Sequence, residues 1–283
     1  MCLIAVAWRM HPRWRLAVIA NRDEFHGRPA ADAGADPEHA DVFGGRDLTQ
    51  GGSWLLASTR GRFAAVTNVR AGTNAEVAPR SRGHLVRDFA TGDASAESYA
   101  LALAPDAAQF GRFNLLCWDG EVLQFASNHP RFEQRAVPPG VHAMSNGAFD
   151  APWPKSGHAT RALASWLDAD ANKLPKGDVP AVDMPAVDMP AVDMQEVMLA
   201  PLFDALGDMT PAPDARLPDT GVGLELERVL SPPFVRGARY GTRCSTVVLI
   251  DETHIVFAER RFGPDALPIG NTFAQLALQP FRP

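Results

Sequence analysis

A cysteine at position 2 is the residue of this sequence with the clearest chemistry. Methionine aminopeptidase removes Met1 when the second residue is small, so the mature chain would begin with a thiol and a free α-amino group. An unperturbed α-amino group has a pKa of about 7.7–8.0, and it can act as general base toward its own side chain. The position therefore predicts an N-terminal nucleophile. The alternative is that Cys2 is a small hydrophobic residue buried at the start of a strand.

A run of four polar residues, 21–24 (Asn-Arg-Asp-Glu), follows the second of two apolar segments. These segments, Cys2–Trp8 and Trp14–Ala20, are rich in β-formers and predict a hairpin. A tight hairpin brings Cys2 opposite residues 19–22. An arginine there would lower the pKa of the thiol, and a carboxylate could orient the amine.

Three further polar residues stand at the ends of predicted strands. Asn68 ends a third strand and Asn146 a fourth, while Arg243 stands just before a strand that begins at Cys244. Uncharged amide donors at strand ends suit an oxyanion hole. Each residue alone could be a turn asparagine or a surface arginine, and only their shared placement at strand ends indicates one site.

The elements that must position these residues are mostly hairpins. Cys2–Trp8 and Thr246–Ile250 are apolar on both faces, so a sheet built from such strands needs a further layer on each side. The sequence therefore predicts an α+β fold, a four-layer αββα sandwich of two mainly antiparallel sheets. The remaining local predictions are hairpins at 54–69, 113–126 and 244–259, a strand at 141–145, a loop at 30–41, turns across 43–54, and helices at 82–90 (with Ser81 as N-cap), 95–104, 156–167 (capped by Ser156) and 197–206.

Residues 180–194 read PAVDM three times. A proline every five residues is incompatible with an ordinary helix through the run. We interpret 178–194 as an extended, solvated low-complexity insertion within a single domain that spans 1–283. A domain boundary is the rival interpretation, and the insertion is preferred because strand patterns resume after it.

Composition narrows the classes of function. The chain has 283 residues, is 46% hydrophobic and carries a formal net charge of −6, which argues against nucleic acid or an anionic membrane as the main partner. No apolar run approaches the ~18 residues of a membrane span. Three cysteines without CxxC or HExxH spacing favour a reducing, cytoplasmic location and predict no metal or cofactor. The arginine and alanine bias indicates a GC-rich bacterial genome, and nothing indicates an oligomeric state.

Taken together, the short motifs resemble the NRDE family, also called the transport and Golgi organisation protein 2 family. The resemblance covers most of residues 1–170 and resumes at 243–246. The motifs that carry it are Met1–Ile4, Ala20–Phe25, Arg28-Pro29, Gly44–Asp47, Gly51–Trp54, Thr67-Asn68, Ser81–Gly83, Phe113–Leu116, Ser145-Asn146, Pro152–Lys155 and Arg243–Thr246.

This family in turn resembles the N-terminal-nucleophile hydrolases, whose fold is αββα, and among them the choloylglycine hydrolases and penicillin acylases. The resemblance implies a cysteine-type amidohydrolase acting on a small-molecule, non-peptide C–N bond. It leaves open whether Asp23 or Glu24 is the functional carboxylate. The implied site residues are Cys2, Arg22, Asp23, Asn68, Asn146 and Arg243, with Asn21 and Glu24 as further candidates.

The same resemblance carries a second function that needs no hydrolysis. Members of the family are linked to Golgi organisation and to haem trafficking, so the alternative is a carrier of haem or another hydrophobic ligand. His11 and His129 each precede a proline and are candidate haem contacts. A histidine in this position is more often an ordinary loop residue.

Overall fold

The computed structural model describes residues 2–73, 76–171 and 191–279. Within these ranges the chain forms thirteen strands and five α-helices. The strands are β1 (Cys2–Trp8), β2 (Leu16–Phe25), β3 (Ala30–Ala35), β4 (Val42–Asp47), β5 (Leu55–Ser58), β6 (Arg62–Asn68), β7 (Phe113–Trp118), β8 (Leu123–Ser127), β9 (Glu133–Ala136), β10 (Gly140–Met144), β11 (Tyr240–Ile250), β12 (His254–Phe262) and β13 (Pro268–Ala277). The helices are α1 (Arg82–Thr91), α2 (Ala96–Ala102), α3 (Pro154–Ala171), α4 (Ala191–Leu206) and α5 (Leu224–Val229).

The strands form two sheets in which each neighbouring pair is antiparallel. The six-stranded sheet has the order β10-β1-β2-β11-β12-β13, and the seven-stranded sheet runs from β3 to β9 in sequence order. Hairpin connections account for most of the pairs, as the sequence predicted. The pairing of β2 with β11 joins strands from the two sides of the PAVDM run in one sheet.

The two sheets pack face to face between helices. One apolar cluster fills the space between the sheets, including Ile4 from β1 and Phe63 from β6. A second cluster lies between the six-stranded sheet and helices α3 and α4, and a third between the seven-stranded sheet and helices α1 and α2. This arrangement confirms the predicted αββα sandwich.

The alternation of side chains along β1 explains its continuous apolar sequence. Leu3, Ala5 and Ala7 pack against the helical layer, whereas Ile4, Val6 and Trp8 point into the space between the sheets. Successive side chains of a strand lie on opposite faces, so both sets are removed from water. A central strand of a four-layer fold must therefore be apolar at every position.

Two stretches predicted as loop or turn are strands. The predicted loop 30–41 contains β3, and the glycine-rich stretch 43–54 begins with β4. A Cβ atom at Gly45 would lie 2.3 Å from the ring of Trp54, so glycine here admits the close approach of an aromatic side chain. The glycines of β4 therefore serve packing within a strand, although their sequence resembles a turn.

Two helix boundaries also differ from the sequence predictions. Helix α3 begins at Pro154 rather than after Ser156, because proline fits the first turn of a helix, where its missing N–H costs nothing. Helix α4 begins at Ala191, so the extended conformation predicted through 194 is wrong for the last repeat. The rest of the predicted insertion, 178–190, lies outside the described residues. The strands β9 and β13 were not predicted.

In the parts of the chain that the structure describes, no helix is both long and apolar enough to cross a membrane.

Candidate active site

Strand β2 carries the polar residues 21–24 into the candidate site. These residues lie within the strand rather than after it, because β2 continues to Phe25. Cys2 on β1 is the register partner of Arg22, which on its other side pairs with Cys244 on β11. The predicted pairing of Cys2 with residues 19–22 is confirmed. The register therefore places the backbone of Cys2 directly beside Arg22.

Arg22 is a buried cation that lines a cleft. Its side chain is 7% exposed, and its guanidinium lies 4.2 Å from the ring centroid of Trp54 in the opposite sheet. Among the described residues its nearest carboxylate is that of Glu24, with 3.9 Å between Nη2 and Oε2. This distance exceeds a hydrogen bond, so the guanidinium keeps donors for a ligand or a thiolate.

Asp23 is buried beside the helical layer. Thr242 Oγ1 donates a hydrogen bond to Asp23 Oδ1 at 2.6 Å. Burial raises the pKa of Asp23, and the positive charges of Lys155 and Arg22 act in the opposite direction. A buried carboxyl with a raised pKa beside a strand end can hold an amine and exchange a proton with it.

The two predicted amide donors are in contact with each other. Asn146 Nδ2 donates to the backbone oxygen of Asn68 at 2.9 Å and to its Oδ1 at 3.1 Å. Asn68 lines the cleft, whereas Asn146 is fully buried behind it. Asn68 Oδ1 accepts from Asn146. The Nδ2 group of Asn68 is therefore the one that can donate to a ligand.

Arg243 lies inside β11 rather than just before the strand, which corrects the sequence prediction. The register of β11 against β2 shifts between Thr242 and Cys244, so Arg243 is the extra residue of a bulge. Its Nη1 donates to the backbone oxygens of Phe25 and Arg28, both at 3.0 Å. Arg243 thus holds the turn that follows β2 and does not line the main cleft.

The two further candidates, Asn21 and Glu24, point to opposite faces of the sheet. Asn21 is buried against the helical layer, where its Nδ2 donates to the backbone oxygens of Leu206 and Pro233 at 2.8 and 2.9 Å. Its Oδ1 accepts from Ser245 at 2.6 Å, so both ends of the amide are engaged in packing. Glu24 lines the cleft.

The cleft has a volume of about 260 Å³ and is lined mainly by charged and polar side chains. Its polar lining includes residues that the sequence analysis did not single out for chemistry. Arg28 and Asp47 lie within motifs that resemble the family, and this could have identified them as candidates. Glu76 and Arg80 lie in none of these motifs. The lining residues are Arg22, Asp23, Glu24, Arg28, Asp47, Gln50, Ser53, Trp54, Val66, Asn68, Glu76, Ala78, Arg80, Ser81, Arg82, Gly83 and Gly111.

The described residues contain no cluster of three or more His, Cys, Asp or Glu side chains arranged to hold a metal ion. Neither candidate haem contact lines the cleft. His11 lies in the turn between β1 and β2, where its Nδ1 accepts from the backbone N–H groups of Arg13 and Trp14 at 3.1 and 3.2 Å. His129 follows strand β8.

Two solved structures are remotely similar to this chain. A mutant conjugated bile acid hydrolase from Clostridium perfringens superposes with a TM-score of 0.45 and 11% identity, covering 98% of this chain and 92% of that chain. A Caenorhabditis elegans N-acylethanolamine-hydrolyzing acid amidase ortholog gives 0.45 and 10%, covering 88% of this chain and 92% of its own. At TM-scores below 0.5, neither likeness carries an argument about activity.

Sequence comparison is more informative. A Transport and Golgi organization 2 homolog from Mus musculus is 28% identical over 280 residues, and one from Bos taurus is 30% identical over 283 residues. Each alignment covers 92% of both chains. The profile of the Transport and Golgi organisation 2 family matches residues 1–264. The chain therefore belongs to the Transport and Golgi organisation 2 family.

Proposed function

We propose that the protein is a cysteine-dependent amidohydrolase of the N-terminal-nucleophile type, acting on a linear, non-peptide C–N bond. The observation that supports this most is the register of β1 and β2, which places Cys2 beside Arg22. Arg22 itself lines a polar cleft that Asn68 also lines. This backbone register and the shared cleft lining support the proposal that a nucleophile, a cation and an amide donor act at one site.

The proposed reaction begins once Met1 has been removed. The α-amino group of Cys2 takes the proton of the thiol, and the thiolate forms a bond to the substrate carbonyl carbon. The C–N bond then breaks, and the leaving amine takes the proton from the α-ammonium group. Water hydrolyses the resulting thioester, which releases the acid and restores the thiol.

Each neighbouring residue has a proposed role that its contacts support. Arg22 favours the thiolate, and Asp23 holds the α-amine. Asn68 donates to the oxyanion. Asn146 orients Asn68 through two hydrogen bonds. Asn21 and Arg243 act as positioning residues, because their donors are engaged by backbone oxygens. Asn21 donates to the backbone oxygens of Leu206 and Pro233. Arg243 donates to those of Phe25 and Arg28.

The alternative function, trafficking of haem or another hydrophobic ligand, has less support in this cleft. Trp54, Val66 and Ala78 are its three apolar lining side chains, against four arginines and four acidic residues. Apolar ligands prefer pockets lined predominantly by hydrophobic side chains. We therefore favour hydrolysis. A cytoplasmic location and a bacterial source stay predictions from composition.

Intact-mass measurement with and without iodoacetamide tests the proposal. We expect the purified protein to lack Met1 and Cys2 to be alkylated faster than the other two cysteines. Cys117 and Cys244 are internal controls, since burial raises the pKa of both thiols well above the usual range. Retention of Met1 would block the α-amine and end the mechanism. Loss of Met1 with Cys2 no faster than a thiol of pKa ~8.5 would end the enzyme proposal while leaving the fold intact.

A further inference from the structure

Lys155 is a buried cation in the first turn of helix α3. The helix begins at Pro154, and Lys155 is 3% exposed. Lysine is almost never fully buried unless it is paired. In addition, the N-terminal end of a helix carries partial positive charge, which disfavours a further cation. Two unfavourable effects therefore act on this side chain, and negative groups nearby must offset them.

One group that offsets them is a backbone oxygen just after α5. Lys155 Nζ donates to the oxygen of Leu230 at 3.1 Å, and Leu230 is itself 2% exposed. A neutral carbonyl offsets only part of the cost of burying a charge, because that cost falls chiefly when an opposite charge lies nearby. The position of Lys155 therefore indicates an anion in the same buried region.

The chain path brings the start of α3 to the end of the sheet that carries the candidate site. Strand β10 ends at Met144, which pairs with Ile4, and Cys2 begins the same strand as Ile4. Residues 145–153 then connect β10 to α3, which packs against β1 and β10. The first turn of α3 is thus close in the fold to the strand end at which Cys2 and its register partner lie.

The buried anion at this end of the sheet is Asp23. It is 1% exposed and lies on the same face of β2 as Asn21, the face that the helical layer covers. Burial raises the pKa of Asp23. The effects that lower it come, in decreasing order, from the chain's amino terminus, Lys155, the hydroxyl of Thr242 and Arg22. Lys155 is therefore the side chain that most favours the carboxylate form of Asp23.

Resting on the proposed hydrolase function, we propose that Lys155 is a positioning residue that holds negative charge on Asp23, so that Asp23 can accept a hydrogen bond from the α-amine of Cys2. A protonated Asp23 would offer the amine a competing donor in place of one acceptor. An ionised Asp23 without a nearby cation would raise the pKa of the α-amine above its usual value of about 7.7–8.0. The amine would then stay an ammonium group, which cannot take the thiol proton. Lys155 offsets that excess of negative charge.

Titration of the Asp23 carboxyl by carbon-13 NMR tests the effect of Lys155 directly. Lys155→Gln removes the charge and keeps an N–H donor for Leu230. We expect Asp23 to titrate about one pH unit or more higher in this variant, because a nearby opposite charge typically lowers the pKa of a carboxyl by about 1–3 units. Arg161→Gln removes an exposed cation from the same helix and should leave the titration unchanged. Equal Asp23 titrations in Lys155→Gln and the wild type would overturn the proposal.

The alkylation rate of Cys2 tests the connection to the nucleophile. Near pH 7, Lys155→Gln should slow the reaction with iodoacetamide about tenfold, whereas Lys155→Arg keeps the charge and should retain most of the rate. In an Asp23→Asn background, Lys155→Gln should cost no further rate, because a residue that acts through Asp23 has no effect once this carboxylate is gone. The same loss of rate in both backgrounds would make Lys155 merely structural and overturn the proposal. Lys155→Met replaces Lys155→Gln if the latter melts far below the wild type.

The outcomes for Lys155 and for hydrolysis are separable. A fast Cys2 in the wild type, with neither the Asp23 titration nor the rate changed by Lys155→Gln, overturns the role of Lys155 and leaves the hydrolase. An ordinary Cys2 in the wild type, combined with an Asp23 titration that depends on Lys155, removes the hydrolase and makes Lys155 and Asp23 a structural pair.

Discussion

Arg22 lies in one row of the sheet between two cysteines, Cys2 and Cys244. Its positive charge favours a thiolate at Cys244 and, in the proposed mechanism, at Cys2. At Cys244, however, burial dominates and raises the pKa of the thiol, and the neighbouring Glu259 raises it further. Cys244 therefore stays a protonated thiol. The proposed reactivity of Cys2 depends on its place at the chain start, where its own α-amine can take the proton.

Replacing Arg22 should slow alkylation of Cys2. An adjacent cation lowers the pKa of an ionisable acid by about 1–3 units, so Arg22→Gln should reduce the alkylation rate near pH 7 about tenfold. Arg22→Lys keeps the charge and should retain most of the rate. The measurement is a mass-spectrometric time course with iodoacetamide. Equal rates for Arg22→Gln and the wild type would show that the guanidinium does not act on the thiol.

Residues of this site differ in how far the sequence could predict them. Arg22 and Asn68 could be found because hairpin geometry and strand ends place them without knowledge of the packing. The sequence could not predict that Asn146 and Arg243 contact other protein residues and not the ligand. The acceptors of their side chains come from segments distant in sequence. Arg82 stood within the resembling motif Ser81–Gly83 but received no role, because the sequence does not show that the start of α1 lines the cleft.

At the scale of elements, a buried ion pair fastens α5 to the segment that follows β6. Arg70 Nη2 and Glu227 Oε2 lie 2.6 Å apart, with side chains 7% and 3% exposed. Thr220 adds two hydrogen bonds to Glu227, from its backbone N–H at 2.9 Å and its hydroxyl at 2.6 Å. The backbone N–H of Arg70 donates to the backbone oxygen of Asn146 at 2.8 Å, so this pair supports the amides of the site.

Removing one member of this pair should destabilise the protein strongly. Glu227→Ala leaves the Arg70 guanidinium buried without its carboxylate, and breaking a buried pair typically costs about 3–5 kcal/mol of unfolding free energy. Urea denaturation followed by circular dichroism measures the change. Glu225→Ala, on the same helix and in an exposed pair with Arg228, is the matched control and should leave the midpoint near that of the wild type. Equal midpoints for both variants would contradict the assignment.

A histidine joins strand β10 to the loop that carries Asn146. His142 Nδ1 lies 2.7 Å from Asp150 Oδ2, and its Nε2 lies 3.0 Å from the backbone oxygen of Pro138. Both partners are acceptors, so the ring donates to both only as the imidazolium. The hydrogen bond to Asp150 raises the pKa of His142, against the opposing effects of burial and of the positive charge of Arg135.

This contact should make stability fall as pH rises. The folded pKa of His142 is raised, so its contribution is complete below the unfolded pKa of about 6.5 and is lost as pH rises through the folded pKa. Thermal melting between pH 6 and pH 8 should therefore show a decline in the wild type that His142→Gln lacks. Parallel pH profiles for the two proteins would refute the coupling, and titration of the His142 ring by NMR would give the folded pKa directly.

At the scale of the whole molecule, the sequences of a few central strands were enough to predict the layered architecture. Strands such as β1 and β11 are apolar on both faces because they are covered on both faces, and that requirement predicts αββα. Edge strands were harder to predict from the sequence. Both β9 and β13 are edge strands with largely exposed side chains, so their sequences lack the apolar alternation by which a strand is recognised.

The six-stranded sheet contains strands from both sides of the PAVDM run. Strands β1, β2 and β10 precede the run, and β11, β12 and β13 follow it. The junction is the pairing of β2 with β11, which extends over ten residue pairs from Tyr240↔Phe25 to Ile250↔Leu16. Either half alone would expose a long strand edge and the apolar faces that the other half covers. We expect the protein to fold as one cooperative unit.

Expression of the chain as two separate pieces, 1–185 and 186–283, tests this expectation. Co-expressed, with an affinity tag on the first piece only, the pieces should purify together at a one-to-one ratio and melt in a single transition. Expressed alone, the piece 186–283 should be insoluble, because β11 lacks the partner that covers its edge. A break between residues 185 and 186 lies outside every strand and helix that the structure describes. Two pieces that each fold alone and melt independently would instead make the repeat a boundary between domains.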